Sequence, residues 1–385
     1  MSRIGIFGGT FNPIHNGHLK LAAYCRDSLN LDSVILIPDY TPPHKSGSEL
    51  VSGDDRLEMC RLAAAGLDGL TVSDIELRRG GTSYTFETLS SLKELYPGDE
   101  LFLIMGADMF LTLPSWKNPD IIFEKASIIA VPRDGDDNRV LLDFYEETLK
   151  NMGARVFVLE KPVMQVSSTF VRSNICNREL VSEYLPGAVY DHIAKNGLYG
   201  FRDYAAIIRG LMGDYRYIHS VNVAREAVEL ARLYGSDTGK AYIAGMIHDI
   251  TKEIPKDEQL QIIADGGIIL DDVQKNAPKL WHSISGSVYI RRELGITDED
   301  MINAVRYHTT GRAGMSLLEK IIYIADFTAE GRSYNGVEIM RERSRQSLEA
   351  AMLFSCQFFF QELSKKELAI HPDQLGLYNE LVMKG

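Results

Sequence analysis

The first two hundred residues alternate short apolar runs with longer amphipathic segments. The runs over residues 4–7, 34–37, 101–105, 128–131 and 156–159 are rich in β-branched residues and bounded by turn residues, so they predict buried strands. Amphipathic patterns predict helices near residues 19–29, 55–65 and 85–95. This alternation favours a doubly wound α/β domain with a parallel sheet covered on both faces. In such sheets ligands bind at the carboxyl ends of the strands.

The strand pattern ends near residue 200. A helix predicted from Pro186 to Lys195 is followed by Asn196 and Gly197, a typical helix stop, and we place a domain boundary between residues 200 and 201. The remaining pattern predicts helices only, near residues 204–212, 217–234, 237–248, 257–265, 282–294, 298–308, 316–328 and 337–364. Residues 201–385 are therefore expected to form an all-α bundle.

Length, charge and cysteine content narrow the class of protein. A chain of 385 residues fits two domains of ordinary size. The net charge is −12, with −8 in residues 1–200 and −4 in the rest, which argues against binding a nucleic-acid polymer or an anionic membrane. The four cysteines form no C-x-x-C pair, and no long apolar segment opens the chain, so a cytoplasmic enzyme is expected. A homo-oligomer stays open.

The first chemical motif directly follows the first predicted strand. Residues 8–19 read GGTFNPIHNGHL. Gly8 and Gly9 let the backbone approach a phosphate closely, and a helix that begins near Gly17 would direct its N–H groups at the same anion. His15 and His18 are three residues apart, so in a first helical turn both can donate hydrogen bonds to phosphate oxygens.

This string resembles the H-x-G-H signature of the nucleotidyltransferase superfamily, and residues 1–200 resemble bacterial nicotinate-nucleotide adenylyltransferases. Asn12 stands where that family often has Asp. Further blocks carry the resemblance: PPHK at 42–45, SYTF at 83–86, GAD at 106–108, PSW at 114–116, PR at 132–133, VSSTFVR at 166–172 and NGLY at 196–199.

The resemblance implies transfer of AMP from ATP, with Mg²⁺, to nicotinate mononucleotide. Such a transfer needs no protein nucleophile, because positioning and charge neutralisation carry the rate. The resemblance implies that Trp116 forms an aromatic wall for the pyridine ring and that Asp108 accepts ribose hydroxyls. It implies catalytic roles for His15, His18, Lys45 and Arg172, and substrate contacts from Gly8, Gly9, Thr10, Phe11, Tyr84, Thr85, Gly106, Asp108, Trp116, Arg133, Ser168 and Thr169. Another H-x-G-H transferase, such as a phosphopantetheine or cytidylyl enzyme, is the alternative.

The second motif is a set of histidines and aspartates on separate predicted helices. The set consists of His219, His248, Asp249, His282, His308 and Asp326. The spacings are too long for a local zinc finger but suit ligands that converge inside a helical bundle. Imidazole and carboxylate without thiolate suit an iron, manganese or zinc hydrolytic centre.

The contexts of these residues resemble the HD phosphohydrolase superfamily, and residues 201–385 resemble bacterial HD-type hydrolases that cleave diadenosine tetraphosphate symmetrically. The contexts include MIHDITK at 246–252, RYHTTGR at 306–312 and IAD at 324–326. The resemblance implies two divalent metals, with iron first and Mn or Zn as alternatives. His219, His248, Asp249 and Asp326 would hold one metal, and Asp249, His282 and His308 the other.

Within this resemblance, Asp249 is implied as the bridging catalytic carboxylate, and Lys252 and Arg312 as the groups that hold the polyphosphate. The expected partners are therefore ATP, nicotinate mononucleotide and dinucleoside polyphosphates. Two alternatives to the second activity stay open: a different HD nucleotide phosphohydrolase, or a regulatory nucleotide-sensing module. The leading interpretation is a bifunctional enzyme.

Overall fold

A computed structural model of the chain describes residues 1–41, 50–132, 139–160 and 166–384. Lys45 and Arg133 lie outside the described residues. The chain divides into two compact units, Met1–Phe201 and Arg202–Gly385. No helix in the described part is long and apolar enough to cross a bilayer.

The first unit is built on a six-stranded sheet in which every pairing is parallel. Its strands are β1 (Arg3–Gly9), β2 (Ser33–Pro38), β3 (Leu70–Val72), β4 (Glu100–Gly106), β5 (Ala126–Val131) and β6 (Val156–Val158). The strand order is β3-β2-β1-β4-β5-β6, which confirms the predicted doubly wound fold. The pattern did not predict β3, because this edge strand has three residues and none of them is fully buried.

Helices cover both faces of this sheet. Successive residues of a strand point to opposite faces, and both sets are apolar here, so both faces must be buried. In β1, Ile6 and Phe7 point to opposite faces and belong to two separate apolar clusters. The helices of this unit are α1 (Asn16–Leu29), α2 (Gly53–Ala64), α3 (Ile75–Arg79), α4 (Thr85–Leu95), α5 (Ala107–Thr112), α6 (Pro119–Lys125), α7 (Arg139–Asn151), α8 (Ser168–Ser173), α9 (Arg178–Val181) and α10 (Gly187–Asn196), with short 3-10 turns at Leu113–Ser115 and Leu198–Gly200.

The topology places the first motif at a crevice. β1 pairs with β2 on one side and with β4 on the other. Strands β2 and β3 therefore extend the sheet to one side of β1, and β4, β5 and β6 extend it to the other. The loops that leave these two adjacent strands diverge there and leave room for a ligand. The loop after Gly9 leaves β1 at this point, and α5 directly follows Gly106 at the end of β4.

The second unit is helical throughout its described residues, which confirms the predicted all-α bundle. α18 is its central helix and packs against α12, α13, α17, α19 and α20. The helices are α11 (Tyr204–Arg209), α12 (Asp214–Tyr234), α13 (Thr238–Ile247), α14 (Lys256–Asp265), α15 (Asp272–Asn276), α16 (Trp281–Arg292), α17 (Glu299–Tyr307), α18 (Leu317–Thr328), α19 (Val337–Gln346), α20 (Leu348–Lys365) and α21 (Pro372–Lys384), with a 3-10 turn at Pro278–Leu280.

The single helix predicted over residues 337–364 was wrong. The structure has two helices there, separated at Ser347, whose backbone is extended with φ −159° and ψ 130°. The Ser347 hydroxyl accepts the Ala350 N–H at 3.2 Å and so caps the second helix. The pattern also missed α21 at the end of the chain.

Candidate active sites

A buried arginine holds the loop after β1 against the end of β2. Arg56, on α2, is 1% exposed, and its NH1 donates to the Thr10 carbonyl at 2.8 Å and to Asp39 Oδ1 at 3.0 Å. Its NH2 donates to the Asp39 carbonyl at 2.7 Å. The Thr10 hydroxyl donates to Asp39 Oδ2 at 3.0 Å. The loop that carries the first motif is therefore fixed by an ion pair that the sequence analysis did not identify.

The two histidines of the first motif lie against each other at the start of α1. His15 is the residue before the helix, and its ring stacks on that of His18 with a centroid distance of 3.6 Å and an interplanar angle of 21°. The His15 N–H donates to His18 Nδ1 at 3.2 Å. In the neutral ring this assigns the His18 proton to Nε2. The edge of Phe11, whose φ is +46°, packs against the His18 ring at 5.1 Å.

The short helix α8 docks on the same loop. The Ser168 hydroxyl donates to the Pro13 carbonyl at 2.9 Å, and Arg172 NH1 donates to the Asn12 carbonyl at 2.9 Å. Arg172 NH2 lies 3.4 Å from the Thr169 hydroxyl. The predicted α8 residues and the first motif therefore come together, although they are about 155 residues apart in the chain.

The residues at the carboxyl ends of β1 and β4 meet the requirements of a ligand crevice. Gly8 is exposed, and a Cβ added there would contact nothing within 4 Å. At Gly9 a Cβ would lie 3.1 Å from the Phe11 ring, so a side chain there would press on it. Asp108 lies in the first turn of α5, directly after the carboxyl end of β4.

The aromatic residues expected at the pyridine ring lie near the starts of α4 and α6. Tyr84 immediately precedes α4 and Thr85 is its first residue. The Lys117 ammonium lies 4.0 Å from the centroid of the Tyr84 ring. Trp116 is half-buried, and its Nε1 donates to the Thr112 hydroxyl at 3.1 Å, which fixes the plane of the indole.

A buried polar network supports the start of α4. The Thr88 hydroxyl donates to Glu76 Oε1 at 2.6 Å, and Arg79 NH2 donates to the Thr88 oxygen at 3.1 Å. Burial raises the pKa of Glu76, and hydrogen bonds from Ser83 and Thr88 oppose that increase only in part.

In the second unit the six predicted metal ligands converge. His219 lies on α12, His248 and Asp249 directly follow α13, His282 lies on α16, His308 follows α17 and Asp326 lies on α18. All six are buried, from 0% to 8% exposed. They form three overlapping groups of possible metal ligands: His219, His248 and Asp249; His248, His308 and Asp326; Asp249, His282 and His308.

Three of the imidazoles have the orientation that metal ligands need. Each places Nδ1 at hydrogen-bonding distance from a backbone carbonyl, so its proton is assigned to Nδ1 and its Nε2 lone pair points to the centre. The pairs are His248 with Gly245 at 2.7 Å, His282 with Lys279 at 2.8 Å and His308 with Val305 at 2.8 Å.

The Asp249 carboxylate lies between two groups of imidazoles. Oδ1 is 3.1 Å from His282 Nε2 and 3.4 Å from His308 Nε2. Oδ2 is 3.6 Å from His248 Nε2. Burial alone would raise the pKa of Asp249, but the surrounding histidines and Lys252 lower it well below its usual value, so the carboxylate is ionised.

Asp326 and His219 form the other side of the centre. Asp326 Oδ1 lies 2.9 Å from His219 Nε2 and 3.7 Å from His248 Nε2. Arg332 NH2 donates to the same Asp326 oxygen and lies 3.1 Å from His219 Nε2. Burial opposes ionisation of Asp326, but His219 and Arg332 lower its pKa well below the usual value. Sequence reasoning missed Arg332, which lies in the loop after α18.

This donor set fits divalent metal ions. His282 Nε2 and His308 Nε2 face each other at 3.2 Å although both ring protons are assigned to Nδ1, so no hydrogen bond joins the two lone pairs. His248 Nε2 and Asp249 Oδ1 are buried without a hydrogen bond. Burial lowers the pKa of His248 to about 3 and that of His282 to about 4, so both rings are neutral ligands. Metal bonds of about 2.0–2.2 Å place neighbouring donor atoms about 3.0–3.5 Å apart, close to the separations observed here.

Two cationic side chains adjoin the Asp249 side of the centre. Arg216 NH1 donates to Asp249 Oδ2 at 2.7 Å. Lys252 Nζ lies 3.5 Å from Asp249 Oδ1 and 2.9 Å from His282 Nε2. Lys252 was predicted from its spacing to Asp249, whereas Arg216 was not singled out.

Arg312 is engaged in a different way. Its Nε and NH2 donate to the two carboxylate oxygens of Glu319, each at 2.7 Å. Glu319 is 2% exposed, and its hydrogen bonds raise the pKa of Arg312. The guanidinium also lies 4.7 Å from the centroid of the Tyr307 ring.

Two family models match the chain, one in each unit. A cytidylyltransferase-like model matches residues 6–174 and an HD domain model matches residues 216–330. A protein named "Probable nicotinate-nucleotide adenylyltransferase" from Citrifermentans bemidjiense is 40% identical over 211 residues, which cover 51% of this chain and 98% of that protein. The "Bis(5'-nucleosyl)-tetraphosphatase, symmetrical" of Bacillus subtilis is 41% identical over 177 residues, which cover 46% of this chain and 95% of that protein. The chain therefore belongs to the family of the nicotinate-nucleotide adenylyltransferases in its first half and to that of the symmetrical HD tetraphosphatases in its second.

The two alignments cover nearly the whole length of these relatives and fall in different halves of the chain, so the chain joins two units that resemble separate proteins. A solved HD superfamily hydrolase from Clostridium acetobutylicum, described as involved in NAD metabolism, is 36% identical. It covers 47% of this chain and 96% of its own, with a TM-score of 0.46.

Proposed function

We propose that this chain is a bifunctional enzyme of nucleotide metabolism. Residues 1–200 transfer AMP from ATP to nicotinate mononucleotide and release pyrophosphate. Residues 201–385 hydrolyse diadenosine tetraphosphate to two molecules of ADP. The names of the relatives that match each half along 95–98% of their length support these two activities.

In the adenylyltransferase half, the mononucleotide phosphate attacks the α-phosphorus of ATP, and pyrophosphate leaves. His18 donates from Nε2 to a phosphate oxygen, and the stacked His15 fixes the plane of that ring. Arg172, held at the Asn12 carbonyl, adds positive charge over the same loop. These preorganised donors neutralise charge that develops in the transition state. Lys45 and Arg133 are proposed to contact the phosphates, together with Mg²⁺ bound to ATP.

The mononucleotide is proposed to bind between the starts of α4 and α6. Trp116 stacks on the pyridine ring, and the backbone at Tyr84 and Thr85 donates to the ring carboxylate. Asp108 accepts ribose hydroxyls at the end of β4. The α8 residues Ser168 and Thr169 contact the ATP phosphates, and the loop from Gly8 to Phe11 approaches them closely.

In the HD half, Asp249 would be shared between the ligand sets of two divalent metals. His219, His248 and Asp326 complete one set of ligands, and His282 and His308 complete the other. Iron is the proposed metal, with Mn and Zn as alternatives. Bound metals at such a site supply a hydroxide at neutral pH and polarise the phosphoryl oxygens.

The cationic side chains around the centre are proposed to hold the polyphosphate. Lys252 and Arg216 both reach the Asp249 carboxylate, so a phosphate group bound at the centre lies within their range. Arg332 provides a third cation on the Asp326 side. Arg312 can contact the polyphosphate only through its NH1 group, because its Nε and NH2 groups are bonded to Glu319, or after that ion pair breaks.

The observation that carries the HD assignment is the convergence of three imidazole Nε2 atoms, those of His248, His282 and His308, on two ionised carboxylates. The full chain, loaded with Fe²⁺ or Mn²⁺, is assayed for both reactions with products separated by chromatography. His18→Ala should lower adenylyl transfer by about 10²-fold, the scale for one preorganised donor, and leave hydrolysis unchanged. Asp249→Asn should abolish hydrolysis and leave transfer unchanged.

Matched controls are His192→Gln, which removes a histidine that pairs with Asp55, and Asp257→Asn, which removes an exposed aspartate of α14. Both controls should retain both activities. Normal transfer by His18→Ala, or normal hydrolysis and metal content in Asp249→Asn, would contradict the assigned roles.

A further inference from the structure

A second concave site in the HD half lies between α16, α17 and the turn after α14. Its volume is about 540 Å³, within the range of small-molecule sites. Ile268, Val288 and Ile302 form an apolar wall, and Asn303 and Arg306 supply polar groups. Arg291 and Arg292 lie at the exposed edge. The cavity therefore combines apolar surface with a local excess of positive charge in a chain whose net charge is −12.

This cavity is separate from the metal centre. Glu299, Ile302 and Arg306 recur every three to four residues and form one face of α17. His308, whose Nδ1 lies 2.8 Å from the Val305 carbonyl, directly follows the end of this helix. Neither His308 nor any of the other five predicted metal ligands lines the cavity.

The polar groups inside the cavity have no protein partners. Among the described residues, the Arg306 side chain makes no ion pair and no hydrogen bond, and its one ring contact is with Tyr307 at 5.5 Å. The Asn303 amide makes no hydrogen bond with any residue in the described part of the chain. By contrast, Arg291 pairs with Glu299 at 2.7 Å and Arg292 with Asp265 at 3.5 Å.

The Arg306 side chain is half-buried at the cavity, and no carboxylate of the described residues forms an ion pair with it. Asp271 and Asp373 are near enough to interact with its charge but make no direct contact with it. Arginine stays protonated in proteins, so the cavity contains a charge that an anion would stabilise. Asn303, three residues earlier on the same face, offers a second donor beside it.

We propose that this cavity binds a phosphorylated small molecule with a planar organic group, of the nucleoside monophosphate class. The phosphate is held by Arg306 and Asn303, and the ring packs against Ile268, Val288 and Ile302. A guanidinium and an amide together recognise a phosphate group, and the apolar wall adds the affinity that inorganic phosphate lacks. This site is additional to both proposed catalytic centres.

The test is an NMR titration of the full chain with ¹⁵Nε-labelled arginine. The Arg306 signal is assigned by its disappearance in Arg306→Gln, whose fold is checked by thermal unfolding and by hydrolysis of diadenosine tetraphosphate. AMP should shift the Arg306 signal saturably, and the affinity of inorganic phosphate should be at least about tenfold weaker. Asn303→Ala should weaken AMP binding at this signal about tenfold. The control Arg232→Gln, at an exposed arginine paired with Glu229, should not change it.

Three results would overturn the proposal. The first is an Arg306 signal that millimolar AMP leaves unmoved. The second is equal affinity for AMP and inorganic phosphate, which would assign the site to the free ion. The third is equal affinity for AMP and adenosine, which would exclude a role for the phosphate. Asn303→Ala separates binding in this cavity from binding at the metal centre, because Asn303 lines the cavity and is not a predicted metal ligand.

Discussion

In the HD half, Gly245 determines both how closely two helices pack and how a predicted metal ligand is oriented. It lies in α13 at the crossing with α12, and a Cβ added there would lie 2.6 Å from Ala224 Cα and 3.0 Å from Ala224 N. Its carbonyl also accepts the His248 Nδ1 proton at 2.7 Å. Gly245→Ala therefore separates two packed helices and displaces a metal ligand together.

The size of the effect follows from these distances. Non-bonded carbons approach to about 3.5–4.0 Å, so the two helices must separate by about 1 Å. Overpacking of this kind lowers the free energy of unfolding by about 1–3 kcal/mol, whereas replacing glycine by alanine within a helix raises it by about 0.5–1 kcal/mol. The net loss in the free energy of unfolding is about 0–2.5 kcal/mol and centres near 1 kcal/mol. For a unit of this size the central value corresponds to a decrease in Tm of roughly 2–4 °C.

Gly376 provides the matched control. It also lies inside a helix, α21, but a Cβ there would meet Ala313 Cβ at an ordinary 3.7 Å. Gly376→Ala should therefore raise the stability of the unit by about 0.4–1 kcal/mol, because the unfolded chain loses freedom. The same substitution thus has opposite signs at the two positions.

The assay is thermal unfolding followed by tryptophan fluorescence. The chain has two tryptophans, Trp116 in the first unit and Trp281 in the second, so a Trp116→Phe background leaves Trp281 to report the HD half alone. If Gly245→Ala unfolds at the same temperature as its parent, or above it, the close helix crossing does not constrain this position and the reasoning is refuted.

Three further predictions concern buried charge and metal. Arg56→Met leaves Asp39 without its buried partner and should lower the free energy of unfolding of the first unit by about 3–5 kcal/mol in urea, whereas an unchanged midpoint would contradict the role of the ion pair. Because burial raises the folded-state pKa of Glu76, its contribution to stability is complete below the unfolded value of 4.5 and is lost as pH rises through the folded value. Glu76→Gln should therefore gain stability relative to wild type between pH 4.5 and 7.5, and a pH-independent difference would argue against this. Chelation should lower the Tm of the HD half and leave that of the first unit unchanged, since a ligand stabilises only the fold that binds it; equal shifts in both would contradict the placement of the metals.

The chemistry of both centres could be predicted from sequence where residues belong to local motifs. The H-x-G-H string is recognisable by its fixed local spacing, and the histidines of the second unit by the short sequence contexts around them. The structure brings the members of each set together. The doubly wound sheet and the helical bundle follow from hydrophobic periodicity. Lys252 could be found because it lies three residues after Asp249, across a single turn closed by the Lys252 N–H and the Asp249 carbonyl.

Other features depend on long-range contacts that no local pattern encodes. Arg56 acts on backbone carbonyls 16 to 46 residues away, and Arg332 acts across 113 residues on His219. A surface arginine and a buried one look alike in a sequence, because the difference lies in which chain segments pack over them. The break at Ser347 was missed for a related reason: the apolar pattern continues across it, and only the capping hydroxyl marks the boundary.

The central claim is that one chain joins an adenylyltransferase to a symmetrical dinucleoside tetraphosphate hydrolase. The most direct test is hydrolysis of diadenosine tetraphosphate by the metal-loaded full chain in ¹⁸O-water, with the products identified by mass spectrometry. We expect ADP as the only nucleotide product, with ¹⁸O in the terminal phosphate of one of the two ADP molecules formed. AMP together with ATP, or no hydrolysis despite full metal occupancy, would contradict the claim.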